Sequence, residues 1–256
     1  MSKIQTFFNA VKTFKNWPLF FLDYLGLVKG DHLIYEMKSG AKYDTRIGKG
    51  DRGIISEIWG YKIYTPKGFE IKENDLVVDI GAQIGVFSIF AAQYAKKGRI
   101  YSFEPVPENF RMLEKNKELN HIGNILPLNL AVADKKGERD IYLASGNAGG
   151  HSFFSDDKGV ERGEDMVKVK TVSLEDFMKE NDIFKIDFLK IDCEGAEYEI
   201  LFGCPKEIFE KIGKISMEYH DIDGNRNSAK LKEFLESQGF AVSISSGIFP
   251  MLYASK

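Results

Sequence analysis

The chain predicts an α/β fold: a mostly parallel sheet with helices on both faces, behind a small N-terminal extension of helices and short strands. Three observations predict it. From residue 75 onward, short apolar runs alternate with segments of helical periodicity. The stretch DLVVDIGAQIGVFSIFAAQYA joins an apolar run to a helical pattern through a glycine turn. No repeat, low-complexity tract or linker divides the chain, so alternating strands and helices imply right-handed crossovers in one sheet. The boundaries read as 1–70 for the extension and cap, and 71–256 for a ligand-binding domain.

In order along the chain, residues 1–28 read as helical, with Phe7, Phe8, Val11 and Phe14 roughly on one face. Residues 32–64 read as short strands and turns: HLIYEM, AKYDTRIGKGDRG and IISEIWGYKIY. LVVDI is the first strand of the domain, and a helix follows from Ile84 to Ala95. RIYSFEP is a strand, then Pro107–Asn120 a helix, then NILPLNLAVAD a single strand. RDIYLA and VKVKTVSL are two more strands, flanking a Gly/Ser/Asp-rich loop at 145–165 of the kind that often carries function. IDFLKIDCEG runs into a helix at Ala196–Phe202. KISMEYHD is a strand, Ser228–Gln238 a helix, and FAVSIS with FPMLYAS an antiparallel closing pair.

Composition bounds the function classes. A net charge of −3 argues against a general nucleic-acid binder. Two cysteines, Cys193 and Cys204, with no CxxC, exclude a disulfide framework and place the chain in a reducing, cytoplasmic compartment. The run WPLFFLDYLGLV, residues 17–28, falls short of the ~20 residues that cross a bilayer, and Asp23 interrupts it. It reads as a helix packed on the domain or, with Lys3, Lys12 and Lys15 ahead of it, as a peripheral membrane contact through residues 1–28.

The glycine turn points to a ligand. Parallel sheets bind at the carboxyl ends of their strands. Gly81 permits a sharp turn and a close backbone approach, and Gly85 permits close helix packing. The turn is DIGAQIG, so Ala82 and Gln83 stand where a dinucleotide fingerprint needs its middle glycine. Asp79, two residues before Gly81, would repel a pyrophosphate and suits a ligand carrying positive charge. S-adenosylmethionine has an ammonium, a sulfonium and no phosphate. Glu104 ends the second strand of the domain, where an acid accepts hydrogen bonds from ribose hydroxyls. The competing readings are an NAD-dependent oxidoreductase and a non-catalytic S-adenosylmethionine-binding protein.

DIGAQIGVFSIFAA, FEPVPENFRMLEKNKELN, LNLAVAD and LKIDCEGAEYEILFG together resemble the FkbM-type S-adenosylmethionine-dependent methyltransferases, over roughly residues 50–221. The resemblance implies the class I methyltransferase (Rossmann-like) fold, with a seven-stranded sheet whose last two strands are antiparallel at one edge. It implies methylation of a hydroxyl on a sugar, glycan or other small metabolite. Carried over by position, Asp79, Gly81, Gln83 and Gly85 would line the methionine end, Glu104 the ribose, and Asn109 the adenosine. Asn129 and Ala131 would lie by the adenine, and Glu57 would close over the cofactor.

In that fold the carboxyl end of the fourth strand faces the methyl group. A hydroxyl acceptor must lose its proton to a base or through a metal. Asp192, still within an apolar strand, would be costly to bury unpaired and reads as functional. Glu197 and Glu199 are explained by the helix dipole. Glu218 and His220 lie two apart on a strand and share one face. Asp192, Glu218 and His220 therefore read as a convergent group, either ligands of a divalent cation such as Mg²⁺ or a His220 base oriented by an acid. His151 and Ser152, in the SGNAGGHSFF loop, are a third candidate for reaching the acceptor.

Overall fold

The structure is a computed structural model and describes residues 3–144, 149–153, 162–246 and 249–256. It opens with helices α1 (Lys3–Thr13) and α2 (Trp17–Tyr24) and a hairpin of β1 (His32–Glu36) and β2 (Lys42–Arg46). Helix α3 (Asp51–Ile55) continues directly into a π-helical segment, Ser56–Tyr61. The expectation of a strand over IISEIWGYKIY is therefore corrected. Its β-branched and aromatic residues favour strands locally, but Ile55 and Ile58 lie on one side of a helix and are both buried there.

The central sheet runs β11-β12-β10-β9-β3-β4-β5. Its strands are β3 (Leu76–Ile80), β4 (Arg99–Phe103), β5 (Ile125–Leu128), β9 (Ile186–Ile191), β10 (Ile212–Glu218), β11 (Ala241–Ser246) and β12 (Pro250–Ser255). Strands β5, β4, β3, β9 and β10 are parallel, and β12 enters antiparallel between β10 and β11. This is the expected seven-stranded sheet. The crossover helices are α4 (Val86–Tyr94), α5 (Pro107–Leu119), α6 (Leu174–Glu180), α7 (Glu197–Phe202), α8 (Lys206–Phe209) and α9 (Ser228–Ser237). Pro107 opens α5, where its missing N–H has no helical partner to lose. Ser173 caps α6 by accepting from the Asp176 N–H, and Asn227 caps α9 by accepting from that of Lys230.

NILPLNLAVAD was expected as one strand. It divides into β5 and β6 (Ala131–Ala133), and β6 joins β7 (Gly137–Ala144) and β8 (Arg162–Ser173) in a separate three-stranded sheet. The break falls at Asn129. Its side chain donates to the carbonyls of Glu104 and Pro105, both at 2.9 Å, so the chain is tied to the end of β4 before it leaves the main sheet.

Period-2 alternation sorts the strand residues between two cores. Val78 and Ile80 of β3, with Leu189 and Ile191 of β9, pack toward α6, α7 and α9. Val77 and Phe188 pack on the other face with α4 and with Phe14, Tyr35, Tyr43 and Ile55 of the N-terminal extension. The extension thus shares a hydrophobic core with the domain. Polar contacts lock it in place. Asn116 of α5 bridges the backbone of Asp44 and the carbonyl of Ile84, and Arg46 is paired with Asp51 at 3.0 Å. Among the described residues, no helix is long and apolar enough to cross a membrane.

Candidate active site

A cleft opens at the carboxyl ends of β3, β4 and β9. Its floor is the glycine turn. Gly81 has φ +78°, and a Cβ there would lie 1.7 Å from the carbonyl oxygen of Asp192. Gly85 has φ +85°, and a Cβ there would lie 2.4 Å from Leu113 Cδ1. The two glycines therefore bring the β9–α7 loop and helix α5 against the turn. For Gly81 this adds a reason beyond the ligand approach expected of it.

Glu104 lies at one end of the cleft. Its Oε2 accepts from the Gln83 N–H at 2.8 Å and its Oε1 from the Val106 N–H at 2.9 Å, and Asn109 also hydrogen-bonds it. Burial pushes its carboxyl up to about 7, against the lowering effect of those hydrogen bonds. Ala131, Val106, Ile141 and Phe153 make an apolar wall beside it. Glu104, Asn109 and Ala131 all line the cleft. Asn129 is not among the lining residues and serves as the tie below Glu104. Gln83 lines the cleft, but its side-chain amide donates to Asp51 Oδ1 at 2.7 Å, so that group seats the cap on the turn.

Asp79 does not line the cleft. It is fully buried, and the β3–β9 register places it opposite Lys190. Lys190 Nζ lies 3.1 Å from Asp79 Oδ1, and Ser88 Oγ donates to Asp79 Oδ2 at 2.6 Å. The cation that Asp79 faces is the protein's own. Lys190 Nζ also donates to the Gly81 carbonyl at 2.6 Å and lies 3.7 Å from Asp192 Oδ2. Burial alone would lower the Lys190 pKa, but the charges of Asp79 and Asp192 outweigh it and hold the ammonium above its ordinary value. A fully compensated lysine leaves Glu104, Asp192 and Glu194 as the acids on the lining.

Asp192 sits at the other end, where β9 stops. Tyr64, from the segment between the π-helical turn and β3, donates its hydroxyl to Asp192 Oδ2 at 2.8 Å. The turn after it needs left-handed backbone at Glu194, φ 51°, and Gly195, φ 98°. Ser152 Oγ donates to the Glu194 carbonyl at 2.6 Å and pins the loop before β8 to that turn. His151 Nδ1 accepts from the Ala144 N–H at 2.9 Å, so a neutral ring carries its proton on Nε2. Its place on the lining is that of a hydrogen-bond donor.

His220, which the sequence suggested as a base oriented by an acid, does meet an acid, although it is not among the residues lining the cleft. Its Nδ1 lies 2.8 Å from Glu197 Oε1, and its Nε2 lies 3.6 Å from Glu194 Oε2. Burial alone would lower its pKa. The hydrogen bond and charge of Glu197, with the charges of Glu194 and Asp192, outweigh it and push the ring up to about 10. Through these contacts His220 ties helix α7 to the cleft loop.

The divalent-cation reading of Asp192, Glu218 and His220 is not supported. Among the described residues, no group of three or more His, Cys, Asp or Glu side chains is placed to hold a metal ion. The ring of His220 is already committed to acids, and Asp192 is committed to Tyr64 and Lys190. Burial, then the charge of Asp192, pushes Glu218 up to about 8 and Glu57 up to about 7. Glu57 lines a second cavity, beside α1 and α2, while its neighbours Ile54 and Ile58 line the cleft.

Sequence reasoning missed Lys190 and Tyr64. Lys190 carried a signal: a lysine inside FLKID, in a strand apolar on both faces, demands a buried acid. Tyr64 carried none, because its partner lies 128 residues away.

The β12-inserted sheet and the acid-lined cleft at its carboxyl edge define the class, that of α/β methyltransferases. The family model described as the methyltransferase FkbM domain matches residues 79–242, and the chain belongs to that family. It is 28% identical over 214 residues to the 31-O-demethyl-FK506 methyltransferase FkbM of Streptomyces tacrolimicus, covering 74% of this chain and 81% of that protein. It is 24% identical over 151 residues to the hexuronic acid methyltransferase AglP of Haloferax volcanii, covering 59% of this chain and 58% of that protein. Among solved structures, a methyltransferase FkbM from Methylobacillus flagellatus matches with a TM-score of 0.49 at 15% identity. That match covers 76% of this chain and 47% of the other, so the chain spans about half of that relative's length.

Proposed function

We propose that this methyltransferase uses S-adenosylmethionine to methylate a hydroxyl group on a sugar, glycan or other small metabolite. One observation carries the reading: the cleft is lined by Glu104 at one end and by Asp192 and Glu194 at the other, while its lysine is neutralised from below. That lining suits a ligand with a ribose at one end and positive charge at the other. It offers nothing to a diphosphate, and together with the family membership this sets aside the NAD-dependent oxidoreductase.

The donor set fits. Glu104 retains lone pairs for ribose hydroxyls beyond those taken by Gln83 and Val106. The apolar wall of Val106, Ala131 and Ile141 suits a purine. When bound, S-adenosylmethionine supplies a methyl group on a positively charged sulfur. The chain's part is alignment and removal of one proton. The new bond joins the acceptor oxygen to the methyl carbon, the carbon–sulfur bond breaks, and its electron pair stays on sulfur. We assign the hydroxyl proton to Asp192, the carboxylate on the lining that Tyr64 and Lys190 hold in place. His151, whose Nδ1 accepts from the Ala144 N–H, lies on the lining, and His220 positions Glu194. An oxygen acceptor is supported by the 31-O-demethyl-FK506 methyltransferase, and a sugar acceptor by the hexuronic acid methyltransferase.

The test is thermal and chemical. S-adenosylhomocysteine should raise the melting temperature and NAD should not. Labelled methyl should then appear as an ether in a product isolated from cell extract. A shift with NAD alone, or label found on nitrogen, would overturn the reading.

A further inference from the structure

We infer that helices α1 and α2 form a docking surface for an anionic lipid bilayer. Helix α2, WPLFFLDY, is apolar apart from Asp23 and the Tyr24 hydroxyl, yet Phe20 is its one fully buried residue. A helix apolar all round belongs in a core or against another apolar phase. Here it lies on the surface. Phe8 is 66% exposed, and Leu25 and Leu27, just past the helix, are each 64% exposed. Phe7, Trp17, Leu22 and Tyr24 extend the same exposed set. Phe7 packs on Phe21 at 5.2 Å and on Trp17 at 6.0 Å between ring centroids, so the two helices present one continuous aromatic surface.

Charge identifies what covers it. Over residues 3–30 the charged side chains are Lys3, Lys12, Lys15, Lys29 and a single acid, Asp23. Asp23 is turned inward. Tyr35 donates to it at 2.6 Å and Arg52 at 2.7 Å. The segment's negative charge is thus withdrawn into the fold, while Lys12 and Lys29 are exposed and Lys15, also exposed, is paired with Glu36 at 2.9 Å. Lys12 follows Phe8 by four residues on one helix, so cation and ring share a face. Exposed aromatics flanked by lysines suit the interface of a bilayer with negative headgroups, where each lysine adds about 1 kcal/mol. An acidic protein partner would meet the lysines but leave the aromatic surface less well matched.

The experiment is co-sedimentation of the full chain with vesicles of phosphatidylcholine, with and without phosphatidylglycerol, at low and high salt. Binding to the anionic vesicles, weakened by salt, is expected. Lys12→Gln should weaken it about fivefold, the equivalent of one lysine's contribution. Phe8→Ser with Leu25→Ser should remove it, while S-adenosylhomocysteine still shifts the melting temperature of that variant and so reports an intact fold. Equal binding to neutral vesicles, no binding to either, or a concentration-dependent dimer that Phe8→Ser dissolves would each overturn the inference. The vesicle result is independent of the methyl-transfer assay, so either reading can fail alone.

Discussion

The two ends of the cleft are built by different means. At the Glu104 end, an acid is held by backbone N–H groups 2 and 21 residues away in sequence. At the Asp192 end, the acids are held by side chains from distant segments: Tyr64 at a separation of 128 residues, and Glu197 and His220 at 23. The first arrangement follows from a strand, a turn and the next strand. The second exists only once the cap, β9, α7 and β10 have met. Local backbone builds the half expected to hold the cofactor, and long-range pairing builds the half assigned to the chemistry.

The predictions test that contrast. The largest effect should come from Asp192→Asn, which is expected to lower turnover by about 10²–10⁴-fold while the melting shift with S-adenosylhomocysteine persists. Steady-state kinetics beside a thermal titration separates the two; undiminished turnover would move the proton to another group. Lys190→Met should cost about 3–5 kcal/mol in urea unfolding, because it strands Asp79 without a counter-ion. Adding Asp79→Asn should restore part of the loss, and a single variant as stable as the parent would show that the pair does not hold the sheet centre. Glu104→Ala should abolish the ligand's stabilisation, about 2.7 kcal/mol at a hundredfold excess over Kd, and should cost the ligand-free chain about 1–3 kcal/mol for the N–H groups it strands. A retained shift would free Glu104 from the ribose role.

The smallest effect is the pH profile. Glu104 and Glu57 are raised from 4.5 to about 7, and Glu218 from 4.5 to about 8. A carboxyl raised in the folded state adds stability that is complete below its unfolded value and is lost as pH climbs through its folded value. His220, raised from 6.5 to about 10, acts in the same direction over a higher window. The ligand-free melting temperature should therefore fall between about pH 5 and 8. Glu218→Gln should flatten the upper part of that fall, and an unchanged slope would place the titration elsewhere.

Most of the fold could be read from residue order. LVVDI, RIYSFEP, IDFLKIDCEG and KISMEYHD all became parallel strands, because apolar runs bounded by glycine and proline leave a buried strand few alternatives. Two segments resisted. IISEIWGY has strand-favouring residues on a helical side, and packing on α4 and α1 decided for the helix. NILPLNLAVAD looks continuous, but the Asn129 tie to β4 splits it. Of the site, Glu104 and Asp192 could be found from their place at strand ends, which in such sheets face the cleft, while Asn109 and Ala131 came only with the family resemblance. Asp79 shows the limit. Its presence beneath the turn was visible, and its partner was not, because register across β3 and β9 is a property of the sheet.

The sequence by itself determined which strands would be parallel, where the chain would turn on glycine, and that acids would gather at the carboxyl edge. Periodicity and backbone geometry are local, and each residue carries them wherever it goes. Only the tertiary structure decided that Lys190 answers Asp79, that Glu197 meets His220, and that Asp23 turns inward beneath an apolar surface. Those outcomes depend on which charges meet out of water, and burial makes such meetings strong enough to reassign the role of every side chain involved.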